Sequence, residues 1–321
     1  MSQSVYSNLV LPSEVSQIAH PLFTEKGIIV SVKRDDLIHP MISGNKWRKL
    51  KPIIEKCITE KYVGILTFGG AFSNHIAATA AAGKLAGIST VGIIRGDELS
   101  FESNPTMTRA KNDGMRLEFI ERSLYDRRSE IKFNQELRKK HGNYLIVPEG
   151  GASYEGVLGA VEIVNELKDQ YDAIVLPCGT GATAAGILLG SSGTQVIGIS
   201  VLKGGDFLLV EIERLLSECG LTSSDIKELL RDFSLKSNYH FGGYGSYDDD
   251  LITFMNEFYS QTGMPSDQIY TGKMFFALLD MVKKDRFPRG SKILVIHTGG
   301  LQGAISIRDQ LSWSLPDFMT I

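Results

Sequence analysis

Short apolar runs alternate with stretches of helical apolar spacing along most of this 321-residue chain. Runs at 28–32, 63–68, 90–94, 117–120, 144–147, 173–176, 196–201 and 293–296 predict strands, and patterns at 76–85, 106–112, 130–140, 155–168 and 182–189 predict helices. Strands that alternate with helices build parallel sheets, and unbroken runs such as 173–176 and 293–296 suit strands buried on both faces. The pattern therefore specifies an α/β fold. Residues 222–250 are richer in polar, glycine and tyrosine residues, which predicts loops over a cleft.

Composition narrows the function classes. Charged residues make up 22 % and the net charge is -3, so no basic field points to nucleic acid or an anionic membrane. Met1 to Val10 has neither a basic region nor an apolar core, and no run approaches a membrane span, so the expectation is a cytoplasmic protein. Three cysteines, Cys57, Cys178 and Cys219, are too few and too scattered for a disulfide framework and are expected to be buried thiols. The six histidines show no ligand spacing, so no metal is expected.

Lys46 lies in Gly44-Asn45-Lys46-Trp47-Arg48-Lys49-Leu50, after the run 28–32 and before a helical stripe of Trp47, Leu50, Ile53 and Ile54. That places its amine near a helix N-terminus, where the dipole disfavours ammonium, and a neutral amine can form a Schiff base with an aldehyde. The alternative is a solvated lysine in a basic cluster with Lys33, Arg34, Arg48, Lys49 and Lys51. Gly179-Thr180-Gly181-Ala182-Thr183 follows the strand 173–176 and opens a helix, the outline of a phosphate cradle, although a tight turn needs the same glycines. It matches neither a nucleotide triphosphatase loop nor a dinucleotide fingerprint. Ser73, Asn74 and His75 occupy an equivalent strand-to-helix turn, where capping alone would explain the first two. Thr298 ends a third strand, while Tyr244 and Tyr270 sit beside glycines in predicted loops, placed to stack on a flat cofactor or to donate hydroxyls. Lys46 and the cradle lie on opposite sides of the chain's centre, which suggests a site between two lobes.

In this order Gly-Asn-Lys-x-Arg-Lys-Leu, Ser-Asn-His, Gly-Thr-Gly-x-Thr, Tyr-Thr-Gly-Lys and His-Thr-Gly-Gly resemble the pyridoxal-phosphate enzymes of the 1-aminocyclopropane-1-carboxylate deaminase and D-cysteine desulfhydrase family. The resemblance covers about residues 11–303. It implies a tryptophan synthase β-like fold with two open, twisted, mostly parallel sheets flanked by helices. The small domain would span 52–156, inserted in a large domain of 1–51 plus 157–321, and the assembly would be a homodimer. The cofactor implied is pyridoxal 5'-phosphate, bound as a Schiff base by Lys46. By the same resemblance Gly179, Thr180, Gly181, Ala182 and Thr183 hold its phosphate and Asn74 its phenolate oxygen. Tyr270 stacks on the ring, Ser73 and His75 face the substrate carboxylate or proton path, and Tyr244 transfers protons near the Schiff base.

One departure bears on the reaction. In the cyclopropane deaminases of this family glutamate follows the motif tyrosine, and its carboxylate keeps the ring nitrogen protonated; this chain has Thr271. A hydroxyl from Thr271 or Thr298 bonds a neutral nitrogen and gives a weaker electron sink, adequate for expelling a good leaving group but poorer for opening a cyclopropane. The expectation is a lyase of the D-cysteine desulfhydrase type, giving pyruvate, ammonia and sulfide. The competing readings are cyclopropane-carboxylate deamination to 2-oxobutyrate, β-replacement, and a non-catalytic protein that binds a phosphate ligand.

Overall fold

The computed structural model describes residues 9–42, 44–191 and 193–315. The chain enters through β1 (Val15–Ile18), α1 (Pro21–Lys26), β2 (Ile29–Lys33) and α2 (Asn45–Thr59). It then lays down β3 (Gly64–Gly69), α3 (Asn74–Ala86), β4 (Ser89–Arg95), α4 (Pro105–Asn112), β5 (Arg116–Ile120), α5 (Arg122–Asp126), α6 (Ile131–His141) and β6 (Tyr144–Val147). The return carries α7 (Tyr154–Asn165), β7 (Ala173–Cys178), α8 (Ala182–Gly190), β8 (Gln195–Ser200), α9 (Leu208–Glu218), α10 (Ser223–Leu229) and β9 (Phe233–Lys236). It closes with α11 (Asp249–Thr262), α12 (Thr271–Lys283) and β10 (Lys292–Ile296).

Two sheets result. The larger runs β1-β2-β10-β7-β8-β9, parallel except for the edge pair β1–β2, and the smaller runs β5-β4-β3-β6, parallel throughout. In each sheet the chain leaves one strand to opposite sides: β7 is flanked by β10 and β8, and β3 by β4 and β6. Such reversal points open a crevice at the strands' carboxyl ends. The loops at those two ends are the Gly179 turn and the Ser73 turn.

The larger sheet is covered on both faces. Val175, Ile197, Ile293 and Val295 pack with Phe258, Phe275 and Leu278 on one side, while Ile174, Leu176, Val196 and Leu294 pack with Val157, Ala185 and Ile212 on the other. That double burial explains why these strands read as unbroken apolar runs.

The region 222–250 differs from its prediction. Besides a loop it contributes α10, which opens with a Thr222–Asp225 capping box, and the edge strand β9 beside β8. Phe233 and Leu235 alternate with Ser234 and Lys236 and are only half-buried. A short edge strand carries too weak an apolar signal to stand out from loop composition.

α2 ties the two sheets together. Its stripe of Trp47, Leu50, Ile53, Ile54 and Cys57 packs on Ile65, Ala78, Ala81 and Val147 of the smaller sheet and its helices. Its other side carries Arg48 into a buried ion network. Arg48 Nη2 lies 2.9 Å from Asp35 Oδ1, Arg48 Nη1 lies 2.5 Å from Glu166 Oε1, and Lys33 Nζ lies 2.5 Å from Glu166 Oε2. Pro52 offers no N–H to the turn below, and Gly159 of α7 takes the space against the Arg48 carbonyl, where a Cβ would overlap the oxygen. The basic cluster is thus not a solvated face: Lys33, Arg48 and Lys49 are buried, and Lys51 is the exposed one of this group.

Candidate active site

A cavity of about 830 Å3 opens where the carboxyl ends of the two sheets converge. Lys46, Ser73, Asn74, His75, Gly179, Thr180, Gly181, Thr183, Tyr244, Tyr270 and Thr298 all border it. Ala182 and Thr271 do not, and each has a reason.

Lys46 is the second residue of α2. Gly44 precedes the helix at φ +72°, a left-handed conformation that favours glycine, and a Cβ there would overlap the Thr298 carbonyl oxygen. Gly44 N donates to Asp35 O at 2.9 Å and Asn45 N to Thr298 O at 3.2 Å, so the turn is clamped between β2 and the end of β10. The Lys46 amine donates to Asn45 Oδ1 at 2.8 Å, and Asn45 Nδ2 reaches Thr183 Oγ1 at 2.8 Å. One amide therefore connects the lysine to the first turn of α8. Burial pushes the amine down to about 8, with Asp267 opposing that shift. Desolvation is the main cause.

The cradle is as anticipated in outline. β7 ends at Cys178, and α8 begins at Ala182 with Gly181 as its left-handed N-cap and no side-chain cap. The first backbone N–H groups of α8 thus remain available to an anion, which is how Ala182 can contribute although its side chain is buried away from the cavity. Burial pushes the Cys178 thiol up to about 12 and keeps it protonated. Cys57 is likewise buried, whereas Cys219 is half-exposed, against the expectation for all three.

Sequence reasoning missed Lys49. It lies one turn after Lys46 on the same side of α2, is buried on the cavity wall, and donates to Gly150 O at 3.3 Å. Burial first, and then Lys46, holds its amine well below the usual lysine range. The i, i+3 spacing was the available signal.

Ser73 caps α3, its Oγ accepting from Ile76 N at 3.3 Å. Asn74 does not cap; its Oδ1 is buried with no hydrogen-bond partner among the described residues. His75 can be assigned a tautomer. Thr67 Oγ1 spends its proton on Val147 O at 2.9 Å and so accepts from His75 Nε2, also at 2.9 Å. Nδ1 is then a bare lone pair, buried without a partner among the described residues, and burial together with Lys46 and Lys49 holds the ring neutral.

The tyrosines face the lysine. Lys46 Nζ stands 6.0 Å from the Tyr270 ring centroid, and the Tyr244 and Tyr270 centroids are 6.0 Å apart in an edge-to-face pair. Desolvation pushes Tyr244 up to about 12 and Tyr270 well above its usual value. Two buried groups hold them. Asp267 accepts from Tyr270 N at 2.9 Å, from Ile269 N and from Thr271 N, fixing the start of α12. Lys273 donates to His240 O at 2.8 Å and Gly243 O at 2.7 Å, gripping the Tyr244 loop.

Thr271 is not on the wall because Asp267 occupies it: the hydroxyl donates to Asp267 Oδ1 at 2.6 Å and accepts from Asp267 N at 2.9 Å. Of the two threonines considered for a ring nitrogen, Thr298 alone borders the cavity. His297 before it is structural, with Nε2 bonded to Pro265 O at 2.8 Å.

Two wall lysines without ion pairs among the described residues, free helical N–H groups and two orphaned polar atoms suit an enzyme whose cofactor is a phosphorylated aldehyde. The chain belongs to the pyridoxal-phosphate-dependent enzyme family, whose model matches residues 17–299. It is 29 % identical over 345 residues to the mitochondrial bifunctional D-cysteine desulfhydrase/1-aminocyclopropane-1-carboxylate deaminase of Arabidopsis thaliana, covering 96 % of this chain and 84 % of that protein. It is 26 % identical over 306 residues to the D-cysteine desulfhydrase of Serratia proteamaculans, covering 88 % and 89 %. A solved structure of an ACC deaminase homologue superposes with a TM-score of 0.79 at 27 % identity, over 97 % of this chain and 98 % of that one. Among the described residues no helix is long and apolar enough to cross a membrane.

Proposed function

We propose that this enzyme eliminates the β-substituent of a small amino acid, D-cysteine or a close relative, to give pyruvate, ammonia and sulfide. The observation that carries the choice is that Thr298 borders the cavity while Asp267 does not. Asp267, the nearby carboxylate, is taken up by backbone donors and Thr271, so Thr298 is the group that would meet a ring nitrogen. Cyclopropane-carboxylate deamination is the second reading, supported by the names of the relatives.

When bound, pyridoxal phosphate supplies an electrophilic aldehyde carbon and an electron sink. The N–H groups from Gly179 to Thr183 and the Thr180 and Thr183 hydroxyls would hold its phosphate, with the Lys49 amine on the same wall. The Asn74 amide would meet its phenolate oxygen and the Tyr270 ring would cover one face. Ser73 and the start of α3 hold the substrate carboxylate. His75, with a bare Nδ1, suits a proton path better than a carboxylate, which would set acceptor against acceptor. Lys46 would take the proton from Cα, and Tyr244 would serve the departing sulfur. Water then completes the balance: cysteine plus water gives pyruvate, ammonia and hydrogen sulfide.

The same reading divides the chain into a small domain, 52–156, inserted in the rest, and makes the assembly a cytoplasmic homodimer. Three unpaired cysteines support a reducing compartment.

The direct test is 2-oxo acid release from D-cysteine, L-cysteine and 1-aminocyclopropane-1-carboxylate in parallel. Pyruvate from D-cysteine with negligible 2-oxobutyrate is the expected result; 2-oxobutyrate as the main product would replace the first reading by the second. Because the Lys46 amine is charged below about 8 and free above it, cofactor capture by the stripped protein should accelerate with rising pH and level off past that value. A capture rate flat between pH 6 and 9, followed by absorbance, would remove Lys46 as the capturing amine.

A further inference from the structure

The outer wall of the cavity is charged. Arg128 Nε lies 2.9 Å from Glu149 Oε2, and Arg214 Nε and Nη2 face Glu211 Oε2 at 3.0 Å, so those charges are compensated locally. Arg95 differs. It ends β4, next to β3, and borders the cavity, yet it forms no ion pair among the described residues. Its exposed side chain lies against an aromatic ring. The guanidinium carbon lies 5.9 Å from the ring centroid of buried Tyr125, whose ring also carries Arg128 at 4.7 Å. Its Nη2 extends over Gly70, within 3.8 Å of where a Cβ would stand, three residues before Ser73. Arg138, exposed on the same wall, likewise forms no ion pair among the described residues.

We infer that Arg95 forms a second anion subsite, and that substrates with a negatively charged β-substituent are preferred over cysteine itself. This rests on the elimination reading above. A bidentate guanidinium favours a carboxylate, phosphate or sulfonate. The two anionic ends of such a substrate would divide between adjacent strand ends, the α-carboxylate at Ser73 beyond β3 and the substituent at Arg95 beyond β4. O-phosphoserine is a suitable probe: loss of the Cα proton and of the Cβ–O bond, with the electron pair leaving on phosphate, followed by hydrolysis, gives pyruvate, ammonia and inorganic phosphate with one water consumed.

The test compares kcat/KM for O-phospho-D-serine and D-cysteine in the holoenzyme and in Arg95→Gln, with calorimetric binding of D-aspartate as a readout independent of turnover. A charge-assisted hydrogen bond is worth roughly 10- to 100-fold in affinity, so the phosphoserine-to-cysteine ratio should fall by about that factor and aspartate binding should weaken likewise. Arg95→Lys, which keeps the charge and loses the fork, should fall between. An unchanged ratio with unchanged aspartate binding would overturn the subsite even if D-cysteine is turned over. Conversely, failure to turn over either D-cysteine or O-phospho-D-serine, with Arg95-dependent aspartate binding, would refute the elimination reading and leave the subsite standing.

Discussion

Lys46→Ala is expected to lower turnover by at least about three orders of magnitude and to abolish the visible absorbance of lysine-bound cofactor. Two roles would be lost together, the covalent hold on the cofactor and the base at Cα. The neighbouring amine is a poor substitute. Lys49 lies one turn further into the helix and is committed to Gly150 O. Because Lys46 is an uncompensated amine on a cavity wall, its removal should leave the fold intact or slightly stabilised. Circular dichroism and thermal unfolding would check this beside the assay. Retained turnover in that variant would refute the proposed mechanism outright.

The second large effect concerns stability. Arg48 is 4 % exposed and sits between Asp35 and Glu166. Replacing it with methionine, of similar length, leaves Asp35 buried without its cation and Glu166 with Lys33 alone. Breaking one partner out of a buried pair costs roughly 3–5 kcal/mol, so Arg48→Met should unfold at markedly lower denaturant than the parent. Burial pushes the Glu166 carboxyl up, but Arg48 and Lys33 outweigh it and hold the group below its usual range. Its contribution is therefore present above the unfolded-state value and fades as pH falls through the folded one. A midpoint shift worth under about 1 kcal/mol would mean that the surrounding polar groups re-pair.

The architecture was legible where period and punctuation agree. The strands at 63–68 and 144–147, bounded by polar or glycine residues, appear as β3 and β6 within a residue. The Ser73 and Gly181 turns fell at strand ends because glycines and a capping hydroxyl mark them locally. Less legible were features that depend on distant partners. Nothing near Asn45 announces that its amide meets Thr183, 138 residues away. Arg48 and Lys33 looked like solvated charge because Glu166 is equally remote in sequence. Thr271 is the instructive case. Family resemblance set it against a ring nitrogen, while an aspartate four residues upstream, at a helix start, was a sign that its hydroxyl would be spent on local bonding.

α2 has one further implication. Its apolar side rests on the smaller sheet, its ion network belongs to the larger, and the reactive amine projects from the turn between them. Neither half owns the lysine. A fragment carrying either sheet alone would keep half of the supports that aim the amine, so this active site cannot be assembled from independently inherited modules, although its two sheets look like two.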